Sequence, residues 1–494
     1  MRNGGVPPSG LLRSSTRPGV SDVTDSLQFG KSLTGMSTSI PGLMLFELPV
    51  HGDNRGWFKE NWQREKMAAA GLPDFGPVQN NISLNRAVGT TRGIHAEPWD
   101  KWVSVASGRI FGAWVDLRRG PTFGRVFTAE VDPSRAVFVP RGVGNAFQTL
   151  MPDTAYTYLV NDHWSPDGEY AFVNLADPQL SIPWPIPLDR AELSEKDRSH
   201  PPLIHASHVT PRKILVVGAD GQVGRALRKL YEGMPEVEFA GRAEFDLTDP
   251  ASTARRHWRD YGAVVNAAAY TAVDRAETDE GRRTAWAVNV AGTTVLSRLA
   301  RENGLTLVHI SSDYVFDGAK ARPYTENDPV SPLGVYGQTK AAADAIVSTV
   351  DRHYVLRTSW VIGEGSNFVR TMQSLAARGV QPRVVSDQIG RLTFTDDLAR
   401  AIAHLLDSQA KPGIYNVTGA GDAVSWADIA RDVYAACGRS RKDVQDVDTL
   451  TYFRGASGPV APRPPRSVLD LTKIESTGFT PRPWRDSLRD YLRD

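Results

Sequence analysis

Apolar positions recur in two different rhythms along this chain, and the change falls near residue 213. From about Leu43 to Trp184 the apolar runs are short, often alternating with polar residues, and broken by Gly, Pro, Asn and Asp. They include Leu43–Glu47, Trp102–Val105, Ile110–Asp116, Arg125–Val131, Ala136–Val139 and Tyr156–Val160. Side chains alternate between the two faces of a strand, so many short runs of this kind predict an all-β sandwich or barrel. Only Glu60–Ala70 reads as a helix there. Beyond Lys213, compact apolar runs (Ile214–Val217, Val237–Ala240, Ala263–Ala268, Thr306–Ser311, Tyr354–Ile362) alternate with helix-like stretches. These begin at Gln222 and continue through Pro250–Tyr261, Gly281–Asn303 and Tyr336–Val350. Such alternation predicts a Rossmann-type α/β fold, a doubly wound parallel sheet with helices on both faces.

Between the halves, Asp189–Arg212 is polar and Pro-containing and reads as a connection. The expected division is a disordered segment 1–37, a β domain 38–203, a linker 204–212 and an α/β domain 213–494. A chain of 494 residues is too long for one ordinary core, which agrees with a division. Lys+Arg number 57 against 56 Asp+Glu, so bulk charge gives no reason to expect nucleic acid or a membrane surface as partner. Cys437 is the single cysteine, which excludes an internal disulfide and a cysteine-rich metal site and fits a reducing compartment. No apolar run approaches the ~20 residues that cross a bilayer, and the first 40 residues, rich in Gly, Ser, Pro and Thr, show no signal-peptide apolar core. The expected location is the cytoplasm.

Three stretches of the second half carry chemistry. Gly218–Ala–Asp–Gly221–Gln–Val–Gly224 follows a strand and opens a helix. Glycines there let the backbone turn tightly and approach a pyrophosphate, which the free N–H groups of the helix start stabilise. A turn needed only for helix–sheet packing would read the same way. The second strand ends at Ala240–Gly–Arg242 with no acidic residue to grip a ribose 2′-hydroxyl. An arginine accommodates a 2′-phosphate instead, which favours NADPH, with NADH the alternative. Asp246–Leu247–Thr–Asp249 offers either an adenine contact or a helix cap. In the third stretch, His309–Ile–Ser–Ser312–Asp ends an apolar run in hydroxyls and an Asp, and Tyr336 and Lys340 follow four positions apart. On a helix these two share a face. A free tyrosine titrates near ~10, and a neighbouring ammonium favours the phenolate. Tyr336 is therefore a candidate to protonate a carbonyl oxygen as hydride arrives, unless the pair is merely solvated.

Gly218–Gly224, Asn266–Ala267–Ala268–Ala–Tyr270–Thr271–Ala–Val–Asp274, Ser311–Gly318, Tyr336 with Lys340, and Arg357–Thr–Ser–Trp360 occur in this order. Together they resemble the dTDP-4-dehydrorhamnose reductases, extended short-chain dehydrogenases, over about Lys213 to Asp494. The resemblance implies that Ser312, Tyr336 and Lys340 are catalytic. Tyr336 would protonate O4, and Lys340 would hold the nicotinamide ribose and lower the Tyr336 pKa. Ser312, where the family often has Thr, would hydrogen-bond the substrate oxygen. The cofactor would lie on Gly218, Gly221, Gln222, Val223 and Gly224, with Arg242, Asp246 and Leu247 on its adenosine side. Ala267, Ala268 and Tyr270 would flank it, with Tyr336 and Lys340 at the nicotinamide end. Thr271, Asp274 and Trp360 would face the sugar nucleotide. Some members bind Mg²⁺ at a dimer interface through a Glu on the first helix; Ala226 stands there, so neither that metal nor that dimer is expected.

In the first half, Arg92–Gly–Ile–His95–Ala–Glu–Pro–Trp–Asp–Lys101 and Pro140–Arg–Gly–Val–Gly–Asn145–Ala–Phe147 resemble the two boxes of cupin jelly rolls. A metal-binding cupin needs several converging His and a Glu. Only His95 stands in the first box and Asn145 replaces the second box's His, so no metal is expected. His95, Lys101, Tyr158 and Asp177 nevertheless form a kit for moving protons beside a ketone: base, cation, phenol and orienting carboxylate.

Asp53–Asn–Arg55–Gly–Trp–Phe58–Lys–Glu60, Gln79–Asn–Asn81, Arg92–Gly–Ile–His95, Lys101 and Asp177–Pro–Gln–Leu180 resemble the dTDP-4-dehydrorhamnose 3,5-epimerases from about Leu43 to Leu203. The resemblance implies His95 as base held by Asp177, Lys101 at the enolate and Tyr158 as the opposing acid. Arg55, Phe58, Glu60, Gln79, Asn81 and Arg92 would bind the nucleotide and its phosphates. Three family positions differ: Asn145–Ala–Phe147, His95–Ala–Glu97 and Trp164. The expectation is a bifunctional enzyme that epimerises dTDP-4-keto-6-deoxy-D-glucose and then reduces C4 with NADPH to dTDP-L-rhamnose, as a homodimer through its N-terminal domain. The alternatives are a reductase fused to a non-catalytic cupin binding module, or the same chemistry on a UDP-sugar or another 6-deoxyhexose.

Overall fold

The computed structural model describes residues 27–493 except 167 and 409. Most of the segment expected to be disordered, 1–26, lies outside the described residues. Its end is not disordered: Thr34–Ser37 is a strand that pairs antiparallel with Met44–Glu47, whose backbone groups it satisfies. The chain divides into two compact units, Met1–Pro211 and Arg212–Asp494.

The first unit is a two-layer β structure. A six-stranded antiparallel sheet runs in the spatial order Thr34–Ser37, Met44–Glu47, Arg135–Val139, Lys101–Ser107, Thr154–Val160, Gln79–Asn85. A five-stranded sheet runs Ala171–Phe172, Thr91–Ala96, Val143–Thr149, Ile110–Asp116, Val126–Val131. Val103, Val105, Trp114, Val137, Phe147 and Tyr156, drawn from both sheets, form the core between them. The other face of Thr91–Ala96, carrying Ile94 and Ala96, packs on Val173, Leu175, Leu203 and Val209. The stretch expected to be a linker is thus seated on this unit as far as Val209, because Leu203 and Val209 are buried apolar residues. The helix expected over Glu60–Ala70 is shorter, Arg64–Ala69.

The second unit has a six-stranded parallel sheet in the order Val237–Ala240, Lys213–Val217, Tyr261–Asn266, Thr306–Ser312, His353–Thr358, Gly413–Asn416. Chain direction across the sheet reverses between Lys213–Val217 and Tyr261–Asn266, and ligands of such sheets sit in the crevice beyond the strand ends at that point. The helices Gln222–Leu230 and Thr395–Asp407 cover one face through Leu227, Leu398, Ile402 and Leu405. Thr293–Asn303 and Val335–Val347 cover the other through Leu296, Leu299 and Val347. Three expected elements differ in detail. Pro250–Tyr261 is a short helix, Pro250–Ala254, and a 3₁₀ turn, Trp258–Asp260. Gly281–Asn303 is continuous but contains a π-helical segment, Ala287–Gly292. Tyr354–Ile362 is two strands, His353–Thr358 and Val361–Ile362, because Trp360 takes a left-handed backbone (φ 44°).

Candidate active sites

In the first unit, His95 lies on Thr91–Ala96 opposite Asn145, so both project from one face of the five-stranded sheet. Asn145 Nδ2 donates to Tyr156 Oη of the other sheet at 3.0 Å, which marks that face as the inner one. Tyr156 is followed on the same strand face by Tyr158, with ring centroids 5.8 Å apart. The Lys101 ammonium stands 5.6 Å from the Tyr158 ring centre and pairs with Glu97. Asn81 is the cross-strand partner of Tyr158, and Gln79 Nε2 donates to Asn81 Oδ1 at 3.0 Å. His95, Asn145, Tyr158, Lys101, Gln79 and Asn81 thus face a common space between the sheets. Burial, and then the Glu97 carboxylate, pushes the Tyr158 phenol up, which keeps it protonated as an acid.

The carboxylate on His95 is Asp197. His95 Nε2 lies 2.9 Å from Asp197 Oδ1. The Asp177 expectation is corrected: Asp177 Oδ1 accepts from Gln179 N at 2.8 Å and Oδ2 from Leu203 N at 2.6 Å. It is the staple of a turn, with both oxygens occupied by backbone N–H groups. Asp197 sits in the helical turn Glu195–Arg198, whose N-cap Ser194 accepts from the Asp197 N–H at 3.1 Å. Burial alone would raise the Asp197 pKa, but the hydrogen bond and charge of His95 hold it below the ordinary carboxylate value. Beside the pair stands buried His200, whose proton affinity is lowered by burial and then by the charge of His95. His95, Asp197 and His200 converge, the last two coming from outside the two sequence boxes.

The expected nucleotide contacts are less gathered. Arg55 is exposed and pairs with Asp53 at 2.5 Å, Phe58 is 66% exposed, and Glu60 pairs with Lys66 at 2.5 Å. Arg92 Nε donates to Asn85 at 3.0 Å, tying it to the strand that carries Gln79 and Asn81.

In the second unit, a cavity of about 270 Å³ opens at the switch point, lined by Gly218, Gly221, Arg242, Asp246, Leu247, Ala267, Ala268 and Tyr270 among others. Gln222, Val223 and Gly224 form the first turn of the helix that starts there. Gly218 has φ +79°, and a Cβ on it would stand 2.5 Å from Ala268 N; a Cβ on Gly224 would stand 2.4 Å from Gly218 O. Glycine lets strand, loop and helix close up so that the helix start, at its N-cap Gly221, meets the cavity. Arg242 is largely exposed and pairs with Asp246, Nε to Oδ2 at 3.2 Å, so much of its guanidinium faces solvent at the cavity rim.

Ser312 ends the strand Thr306–Ser312, and Tyr336 and Lys340 lie on the helix Val335–Val347 packed against it. The Ser312 hydroxyl acts on the Tyr336 phenol, but burial and then the Asp313 charge push that phenol up to about 12. Lys340 Nζ donates to Ile310 O at 2.5 Å and lies 3.2 Å from His309 Nε2. Burial brings Lys340 down to about 8. The His309 ring continues to Asn266, Nδ1 to Nδ2 at 3.2 Å, and burial keeps it neutral. Asp313 is buried between Ser312 Oγ at 3.0 Å and Ser467 Oγ at 2.5 Å, and burial raises it to about 6. Asp274 accepts from Arg463 Nη2 at 2.8 Å and from Ala461 N at 3.0 Å; Thr271 is exposed on the same loop. Trp360 stacks on Trp426 at 3.9 Å. Sequence reading missed Asp197, His200, Asp313 and Arg463. The Ser194-x-x-Asp197 capping pattern was the available signal for the first.

Two family models match the chain, the dTDP-4-dehydrorhamnose 3,5-epimerase model over residues 37–205 and the RmlD substrate binding domain model over residues 212–494. A Streptococcus pyogenes protein RmlC homolog is 52% identical over 182 residues, covering 35% of this chain and 91% of that protein. The chain belongs to both families, one in each half. A dTDP-4-dehydrorhamnose reductase of Aggregatibacter actinomycetemcomitans is 37% identical to the second half, covering 56% of this chain and 97% of the relative. A crystal structure of the Bacillus anthracis dTDP-4-dehydrorhamnose reductase in complex with NADP is 28% identical, covers 57% of this chain and 99% of that one, and superposes with a TM-score of 0.52. The second half therefore shares its fold with a reductase crystallised with that cofactor. No helix among the described residues is long and apolar enough to cross a membrane.

Proposed function

We propose that this chain makes dTDP-L-rhamnose from dTDP-4-keto-6-deoxy-D-glucose in two steps, one on each half. The observation that carries the reading is that one chain joins a His95–Asp197 pair, in a half where Lys101 stands beside Tyr158, to a second half in which the helix bearing Tyr336 and Lys340 packs on the strand ending in Ser312 and a glycine-lined cavity of about 270 Å³ opens at the switch point. In the first half, His95 removes the acidic proton beside the C4 ketone, at C3 and at C5. Asp197 holds the imidazole in one tautomer and stabilises its charged form. Lys101 stabilises the enolate oxygen, and Tyr158 returns a proton from the opposite face.

The second half fits NADPH through its glycine-lined helix start, the cavity walls and the exposed Arg242 guanidinium. NADPH, when bound, supplies the hydride that C4 receives. Tyr336, protonated at neutral pH because its phenol is held near 12, gives its proton to O4. Ser312 hydrogen-bonds that oxygen, and Lys340 holds the nicotinamide ribose. Arg463, fixed by Asp274, presents a cation on the substrate side.

The finer fold assignment follows the same reading: a cupin-like jelly roll at 38–203 and an extended short-chain dehydrogenase at 213–494. Gln79–Asn85 is a sheet edge with Ile82 and Leu84 69% and 57% exposed, which supports a homodimer through this half. A cytoplasmic location belongs to the same reading. The test supplies the keto sugar with NADPH and follows absorbance and product. The full chain should consume NADPH unaided. His95→Ala should stop consumption until a separate epimerase is added, and Tyr336→Phe should stop it permanently while solvent deuterium still enters C3 and C5. Consumption by the intact chain only when another epimerase is supplied would overturn the first half of the reading.

A further inference from the structure

His95, Asp197 and His200 offer three ligand atoms that all lie within 4.8 Å of one another. Asp197 Oδ1 is shared, 2.9 Å from His95 Nε2 and 3.9 Å from His200 Nε2. The His200 side chain is only 5% exposed; the Gly93 carbonyl engages one ring nitrogen, outside good hydrogen-bond geometry, and the other nitrogen has no hydrogen-bond partner among the described residues. Buried polar atoms are nearly always satisfied, so an unpaired nitrogen on a buried imidazole calls for a partner. The Phe172 ring stacks on His200 at 4.9 Å and meets His95 edge-on at 5.5 Å, which fixes both imidazole planes around the carboxylate. His95 is 34% exposed, so the cluster is open on one side.

Two imidazoles and one carboxylate are the donor set of borderline divalent cations, and three protein ligands with an open fourth position suit Zn²⁺ or Co²⁺. We propose that His95, Asp197 and His200 bind one Zn²⁺-class cation, and that the bound ion switches off the first half by occupying its base. The inhibitory consequence rests on the epimerase reading given above; the binding itself does not. His200 gives the site its specificity, because it is the one ligand with no role in the proposed proton transfers.

The experiment titrates Co²⁺ into the chelator-treated full chain and follows its visible d–d absorption, then displaces it with Zn²⁺. One equivalent should bind, and His200→Ala should weaken binding roughly tenfold or more. His200→Gln serves as a second variant, and thermal unfolding establishes which variants are folded. In parallel, Zn²⁺ should suppress deuterium exchange into the keto sugar by the native chain, and the His200 variants should become insensitive to it. Failure of the native chain to take up one equivalent, or unchanged affinity in a folded His200 variant, overturns the proposal. Absence of exchange even without metal would instead defeat the epimerase reading and leave the Co²⁺ titration to decide the site.

Discussion

Asp177 and Asp197 are both nearly buried carboxylates of one half, yet they serve different partners. Asp177 accepts two backbone N–H groups, whereas Asp197 accepts from the imidazole of His95. Asp197→Asn should therefore slow deuterium exchange at C3 and C5 by about 10²- to 10⁴-fold with little change in melting temperature. Asp177→Ala should do the reverse, leaving Leu203 N–H unpaired at a cost of about 1–3 kcal/mol. Exchange kinetics and thermal unfolding on the two variants separate these roles. The sequence pointed to Asp177 because it sits in a motif among strand-like segments, while Asp197 lies in a polar stretch that reads as a linker; what decides between them is contact in space. In the other half, Asp313 carries a pH signature. Its folded pKa, about 6, lies above the ordinary carboxylate value of 3.8. Between those values the folded chain keeps a proton that the unfolded chain releases, so stability falls as pH rises through that window, by on the order of 2–3 kcal/mol. Asp313→Asn cannot lose a proton, and the fall in melting temperature of the second unit between pH 4 and pH 7 should be correspondingly smaller than in the native chain.

Elements were legible where periodicity is strong. The two-residue alternation of Tyr156–Val160 and the compact run Ile214–Val217 both became strands, Thr154–Val160 and Lys213–Val217. Boundaries were not legible where a single residue's backbone decides them: Trp360 looks strand-like by composition but breaks the run through its positive φ, held by stacking on Trp426. The glycine loop was legible as a motif, although not which glycine the packing needs most. A Cβ on Gly224 meets backbone, Gly218 O at 2.4 Å and Ala219 C at 2.6 Å, whereas a Cβ on Gly221 meets only Gly218 O, at 3.3 Å. Backbone cannot rotate away as a side chain can, so Gly224→Ala must push the helix start off the Gly218–Ala219 turn and displace it from the cavity. NADPH affinity, read by fluorescence titration, should fall by roughly tenfold or more in Gly224→Ala, and much less in Gly221→Ala. Equal losses in the two variants would show that contact with the cofactor, rather than helix–strand packing, governs the loop.

The whole molecule is two units, Met1–Pro211 and Arg212–Asp494, each with its own hydrophobic core and its own set of proton-handling side chains. The residues named for each site come from one stretch of the chain: His95, Lys101, Tyr158 and Asp197 precede the division, and Ser312, Tyr336 and Lys340 follow it. Joining them raises the local concentration of the keto intermediate only as far as the connection allows, and creates no new chemistry. The halves should therefore complement one another in solution. A His95→Ala chain cannot make the L-configured ketone, and a Tyr336→Phe chain makes it but cannot reduce it. Mixed in equal amounts with the D-configured keto sugar and NADPH, they should consume NADPH after a lag, while the intermediate released by one chain accumulates to the level the other needs. The steady rate should approach about half that of the same total concentration of native chain, since half the chains carry each working site. A shorter lag at higher total protein would identify free diffusion as the link between the sites. If the mixture consumes no NADPH although each variant is folded and the Tyr336→Phe chain still exchanges deuterium, the intermediate never leaves the chain that forms it, and the two sites act as one.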